Sequence, residues 1–108
     1  MPGNLCFTPN IGQPIDFALR READCAVNAQ LVITAISPKS VATFEWQTKR
    51  RITDCRFKLA KNQFAELSLG GHKIVVVNNG RKSGRIQLAF EAPEVVRIWR
   101  FGFMGNRD

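Results

Sequence analysis

Short runs of β-branched and aromatic residues alternate with polar ones and are cut by glycine, proline or asparagine roughly every eight to twelve residues, which leaves little room for helices. Residues 5–8 form a brief apolar run stopped by Pro9, and Ile11-Gly12-Gln13-Pro14 reads as a turn. Ile15, Phe17 and Leu19 then alternate with polar or small residues. Residues 31–36 and 41–46 flank Ser37-Pro38-Lys39-Ser40, the pattern of a hairpin. Residues 52–59 and 64–69 are extended, Gly70-Gly71 forces a turn, and 73–77 is the clearest strand. Its partner, 85–90, follows a turn expected across 78–84, where Asn and Gly tolerate positive φ. Pro93 ends that strand, and 96–100 is the last. Only residues 20–30 have the alanine content and spacing of a helical turn or two. The expected fold is mainly β: a small sandwich or barrel of antiparallel strands with at most one short helix.

A chain of 108 residues is one small domain, able to hold a thin core without metal or disulfide staples. Segments 31–46 and 73–90 share the order strand, polar turn, strand, which suggests an internal repeat with halves 1–54 and 55–108. No apolar run approaches the roughly 18 residues of a membrane-spanning helix, and the first ten residues lack a secretory pattern, so a soluble cytoplasmic protein is expected. The three cysteines, Cys6, Cys25 and Cys55, form no CxxC pair and read as partly buried thiols. The single histidine, His72, has no zinc spacing around it and reads as a solvated turn residue, so no metal or cofactor is expected. Asp16, Glu66 and Glu91 read as solvated edge or turn residues, and no nucleophile, carboxylate pair or phosphate-cradling loop marks an enzyme.

Charge is the functional signal. Residues 1–48 carry three basic and four acidic groups, net −1, whereas 49–108 carry 13 and five, net +8, which together make the +7 of the whole chain. Lysine and arginine gain affinity for polyanions by releasing condensed counterions, so a polyanion-binding face is expected in the second half. Within 96–100, Val96, Ile98 and Arg100 share one face of a regular strand and Arg97 and Trp99 the other. Arginine beside flat and aliphatic groups suits unpaired bases.

Residues 73–100, centred on Gly84-Arg-Ile-Gln-Leu-Ala-Phe-Glu-Ala-Pro-Glu-Val-Val-Arg-Ile-Trp-Arg100, resemble the carbon storage regulator family of bacterial RNA-binding translational regulators. The shared features are a hairpin, an aliphatic strand, an Ala-Pro step at Ala92-Pro93, and a last strand with Val96, Ile98 and Arg100 at matching spacings. The family's opening pattern, Leu-x-Leu-Thr-Arg-Arg-x-Gly-Glu, is similar to residues 5–13, with a weaker echo from Phe57 to Leu69. The chain therefore resembles two family units joined head to tail.

That resemblance implies an intertwined β-rich fold, a single-chain pseudo-dimer. It implies RNA sites that combine the first strand of one unit with the last strand of the other and recognise a GGA element in mRNA leaders or small RNA hairpins. The last-strand role falls to Val96, Ile98 and Arg100, with Arg97 and the stacking platform Trp99 between them. The first-strand role falls to Phe7 and Thr8 in one unit and to Leu59 and Lys61 in the other, and a second site would combine Lys61 with Arg50, Arg51 and Arg56. The family's first-strand arginines are replaced by Pro9-Asn10 and, in the second unit, by Lys61-Asn62. Two roles follow: a translational regulator bound to RNA, which could act as a homodimer or paired with a family protein, or a protein-interaction module that keeps the fold without RNA binding. The apolar tail at 101–104 suits the second role.

Overall fold

The computed structural model describes residues 5–19, 29–48 and 51–100, with 51–54, 99 and 100 described by their backbone alone. Among them are nine strands and no helix: β1 (Leu5–Phe7), β2 (Ile15–Leu19), β3 (Ala29–Ile36), β4 (Ala42–Thr48), β5 (Arg51–Leu59), β6 (Phe64–Leu69), β7 (His72–Lys82), β8 (Arg85–Glu91) and β9 (Val96–Arg100). They form two antiparallel sheets, a four-stranded one in the order β1-β8-β7-β6 and a five-stranded one in the order β5-β4-β3-β2-β9. The mainly-β expectation is met. Of the segment 20–30, Ala29 and Gln30 belong to β3, and residues 20–28, on which the helical expectation falls, lie outside the described residues.

The alternation seen in the sequence becomes the sandwich core. Ile74 and Val76 of β7 and Ile86, Leu88 and Phe90 of β8 point inward from one sheet; Phe17, Leu31, Ile33 and Phe44 do so from the other. Phe17 joins the sheets, packing edge-on against Trp46 at 4.9 Å and against Phe90 at 5.6 Å between ring centroids. Burying a phenylalanine this completely contributes about 1.5–3 kcal/mol. β2 departs from simple alternation, since all five of its residues are buried. Asp16 is therefore not the solvated group expected: it is only 2% exposed, and its Oδ1 accepts a hydrogen bond from Gln30 Nε2 at 2.8 Å.

The chain changes sheets repeatedly. β1 pairs with β8, β9 with β2, and the C-terminal part of β5 with β4, so strands from each half complete the other half's sheet. The boundary expected between 54 and 55 falls inside β5, so a continuous strand rather than a linker crosses it.

The same contacts also recur in both halves. Phe7 lies opposite Leu88 as Phe57 lies opposite Phe44. A turn follows each. Gln13 N donates to Asn10 O at 3.1 Å and Gln63 N to Ala60 O at 3.0 Å, while each glutamine Oε1 accepts from the first residue of its turn, at 3.1 and 2.7 Å. Gly12 and Asn62 take the left-handed conformation, with φ of 84° and 71°. Each donates its N–H to a residue at a bulge of the following hairpin, Gly12 to Ile33 O at 2.9 Å and Asn62 to Asn78 O at 2.6 Å. Through these equivalences β1-β8-β7-β6 maps onto β5-β4-β3-β2. The five-stranded sheet has β9 in addition, and among the described residues nothing fills the matching place beside β6.

Residues 78–82 are not the turn expected. β7 runs on to Lys82 through a bulge between Asn78 and Arg81, and the reversal is confined to Ser83 and Gly84. Asn78 is fully buried at the bulge. Its Nδ2 donates to Leu59 O at 2.8 Å and Ser40 O at 3.0 Å, and its Oδ1 accepts from Gly80 N at 2.7 Å. One amide thus fastens β7 to the end of β5 and to the β3–β4 turn.

Candidate nucleic-acid interface

β9 runs antiparallel to β2 with Leu19 opposite Val96, Phe17 opposite Ile98 and Ile15 opposite Arg100. This register puts Val96 in the core, 8% exposed, and packs Ile98 half-buried against it, so neither offers the open aliphatic surface expected for RNA. Arg97, opposite Ala18, is half-buried on the other face. Trp99 and Arg100 belong to the strand by backbone register, opposite Asp16 and Ile15; their side chains lie outside the described residues.

The second expected cluster is dispersed. Leu59 is a core residue, 5% exposed. Arg51 begins β5, opposite Thr48, whereas Lys61 lies beyond its other end. Nine strand residues span roughly 26 Å at about 3.3 Å per step, too far for Arg51 and Lys61 to act on one group. Arg56 pairs with Glu45 Oε2 at 3.0 Å on the facing strand. Arg50 lies outside the described residues, as does the side chain of Arg51. The recurring turns also correct the position of Lys61. Because Phe57 matches Phe7 and Gln63 matches Gln13, Lys61 matches Ile11, and Leu59-Ala60 matches Pro9-Asn10. Neither pair carries a charge. Thr8 is half-buried and Phe7 packs against Phe90 at 5.9 Å.

The fold instead gathers other cations at the end of the sandwich where the hairpins reverse. Arg81 Nε donates to Ser40 Oγ at 3.1 Å and its Nη2 to Ser37 O at 3.0 Å, which ties the β7–β8 tip to the β3–β4 turn that carries Lys39. Lys82 and Arg85 face each other across the tip. Lys61 lies along Gly80, where an added Cβ would meet its side-chain methylenes at 3.1 Å. Lys58 sits opposite Thr43, one pair from Leu59. All six of these cations, Lys39, Lys58, Lys61, Arg81, Lys82 and Arg85, are exposed. Segments 36–43, 57–64 and 79–88 contain no aspartate or glutamate. Phe64, 62% exposed and opposite Val77, begins β6 three residues after Lys61 and directly after the Gln63 whose carbonyl accepts from Asn78 N at 3.0 Å.

Reasoning from the sequence missed this grouping because its members come from three separate segments. The usable signal was that three turn segments carried only positive charge. The cysteines also differ from expectation, since Cys6 and Cys55 are exposed on the edge strands β1 and β5; Cys25 lies outside the described residues. His72 is half-buried at the start of β7, opposite Leu69, rather than a solvated turn residue. No protein-family model matches the chain, and no curated protein or solved structure matches it.

Proposed function

We propose that the chain is an RNA-binding post-transcriptional regulator that recognises GGA-type elements in mRNA leaders or small RNA hairpins and blocks translation by occupancy, without chemistry. The observation that carries the proposal is the interleaving of the strands: β1 on β8, β9 on β2 and the end of β5 on β4. That is the intertwined arrangement implied by the resemblance to the carbon storage regulator family, here within one chain. The net charge of +7 supports a polyanionic partner. On this proposal Arg100 and Trp99 of β9 supply the base contacts, and the protein works in the cytoplasm.

A protein-interaction role for the same fold is favoured by two observations. The family's first-strand arginines are missing from both halves, and the outer edge of β6 has no counterpart of β9 among the described residues. Cell-free translation of a reporter separates the two roles. Repression of a leader that carries GGA, with a GGA-scrambled leader unaffected, is the result expected of the regulator. Equal translation of both leaders at saturating protein rejects it.

A further inference from the structure

We infer that the basic turn end is a binding site of its own for single-stranded RNA, holding backbone phosphates on Lys39, Lys61, Arg81, Lys82 and Arg85 and stacking one unpaired base on Phe64. It is separate from β9 and does not depend on GGA recognition.

The charge pattern points to an external anion. Like charges directly opposite in an antiparallel pair are unfavourable, yet Lys82 faces Arg85 across the tip. The two ion pairs between described residues, Arg56–Glu45 and Lys73–Glu66, involve none of the six cations of this end. Arg81 is held in place by two neutral acceptors, Ser40 Oγ and Ser37 O, so its charge is positioned without being neutralised by them. Phosphate groups supply the missing counter-charge and release condensed counterions as they bind.

Phe64 turns a basic surface into one suited to a single strand. An aromatic ring 62% exposed beside such a cluster offers a flat apolar face that a paired base cannot reach. The backbone leading into it is held, because Gln63 and Asn62 bond the backbone of Asn78 at 3.0 and 2.6 Å and Asn78 in turn bonds Ser40 and Leu59. The segments that carry the phosphate and base contacts are therefore tied together through Asn78 and Arg81, so their backbone is already in place when RNA arrives.

The test is fluorescence anisotropy with an oligo(U) 12-mer, which carries no GGA, and a duplex RNA of equal length, across a salt series. The wild-type chain should bind oligo(U) more tightly than the duplex. Lys82→Gln with Arg85→Gln should flatten the logarithmic salt slope by about 1.4, at roughly 0.7 per single-strand phosphate contact. Phe64→Ala should weaken oligo(U) binding roughly fivefold or more and leave the duplex unchanged. All three side chains are exposed, so the variants should keep the urea midpoint of the parent. An unchanged slope in the double variant, an unchanged oligo(U) affinity in Phe64→Ala, or no oligo(U) binding by the wild type overturns the inference. GGA selectivity is read separately, as the ratio of affinities for GGA and scrambled hairpins. A ratio near one in the wild type rejects the proposed regulator while leaving this site standing.

Discussion

Asn78 is the point at which a single substitution should do most damage for least change in volume. Its amide makes three hydrogen bonds in a fully buried position: to Leu59 O, to Ser40 O and from Gly80 N. Asn78→Ala removes all three, leaving two carbonyls and one N–H without that partner. At about 1 kcal/mol for each net bond, and more where a group stays buried and unsatisfied, the loss is about 3–5 kcal/mol. Asn78→Asp should be at least as costly at neutral pH, although it keeps the shape and the acceptor for Gly80. Its second oxygen would face two carbonyl oxygens where the amide held them at 2.8 and 3.0 Å. The neutral carboxyl is favoured in the folded state, so its pKa is raised there, and the deficit should shrink as pH falls toward the ordinary aspartate range of about 4. Urea denaturation followed by tryptophan fluorescence is a suitable assay, because Trp46 is buried against Phe17. Losing about 3 kcal/mol should lower the melting temperature by about 12 °C in a domain of this size. A loss below about 1 kcal/mol in Asn78→Ala, with Asn78→Asp no worse, would refute the role assigned to this amide.

Three further substitutions or probes follow from the packing. Gly70→Ala would bring a Cβ within 2.8 Å of Leu19 Cδ1 at a φ of +59°, so a destabilisation of about 1–3 kcal/mol is expected in the same urea assay, and no change would contradict the close approach. Cys6 and Cys55 are exposed and should both be labelled by a thiol reagent without unfolding the protein; protection of either would contradict its placement on an edge strand. Arg100→Ala should cost about 1–3 kcal/mol in affinity for a GGA hairpin, measured by anisotropy, and unchanged binding would remove β9 from the RNA surface.

Most strands were legible because the two-residue period of a half-buried sheet is a local property. β6 and β9 occupy the residues expected, and the hairpins at 31–46 and 73–90 are present, with β7 running five residues further than expected, to Lys82. What was not legible depends on the rest of the molecule. Asn78-Asn79-Gly80 was read as a turn because turns and bulges draw on the same residues; only the strand partners show that β7 continues. Alternation marks two faces and does not say which one meets the core; the resemblance puts Leu59 and Val96 on an RNA surface, and both are buried. The basic end is invisible along the chain because the segments that carry Lys39, Lys61 and Arg81 meet only once the hairpins fold back on one another. The matching of Lys61 with Ile11 rests in the same way on hydrogen bonds of the two turns rather than on residue identity.

The most direct test of the proposed regulator is wild-type binding to a short hairpin with GGA in its loop and to the same hairpin with the loop scrambled, titrated at two salt concentrations. Preference for the GGA loop that persists at the higher salt is the expected result, since base contacts survive screening better than phosphate contacts do. Equal affinity for the two loops, falling together with salt, would contradict it.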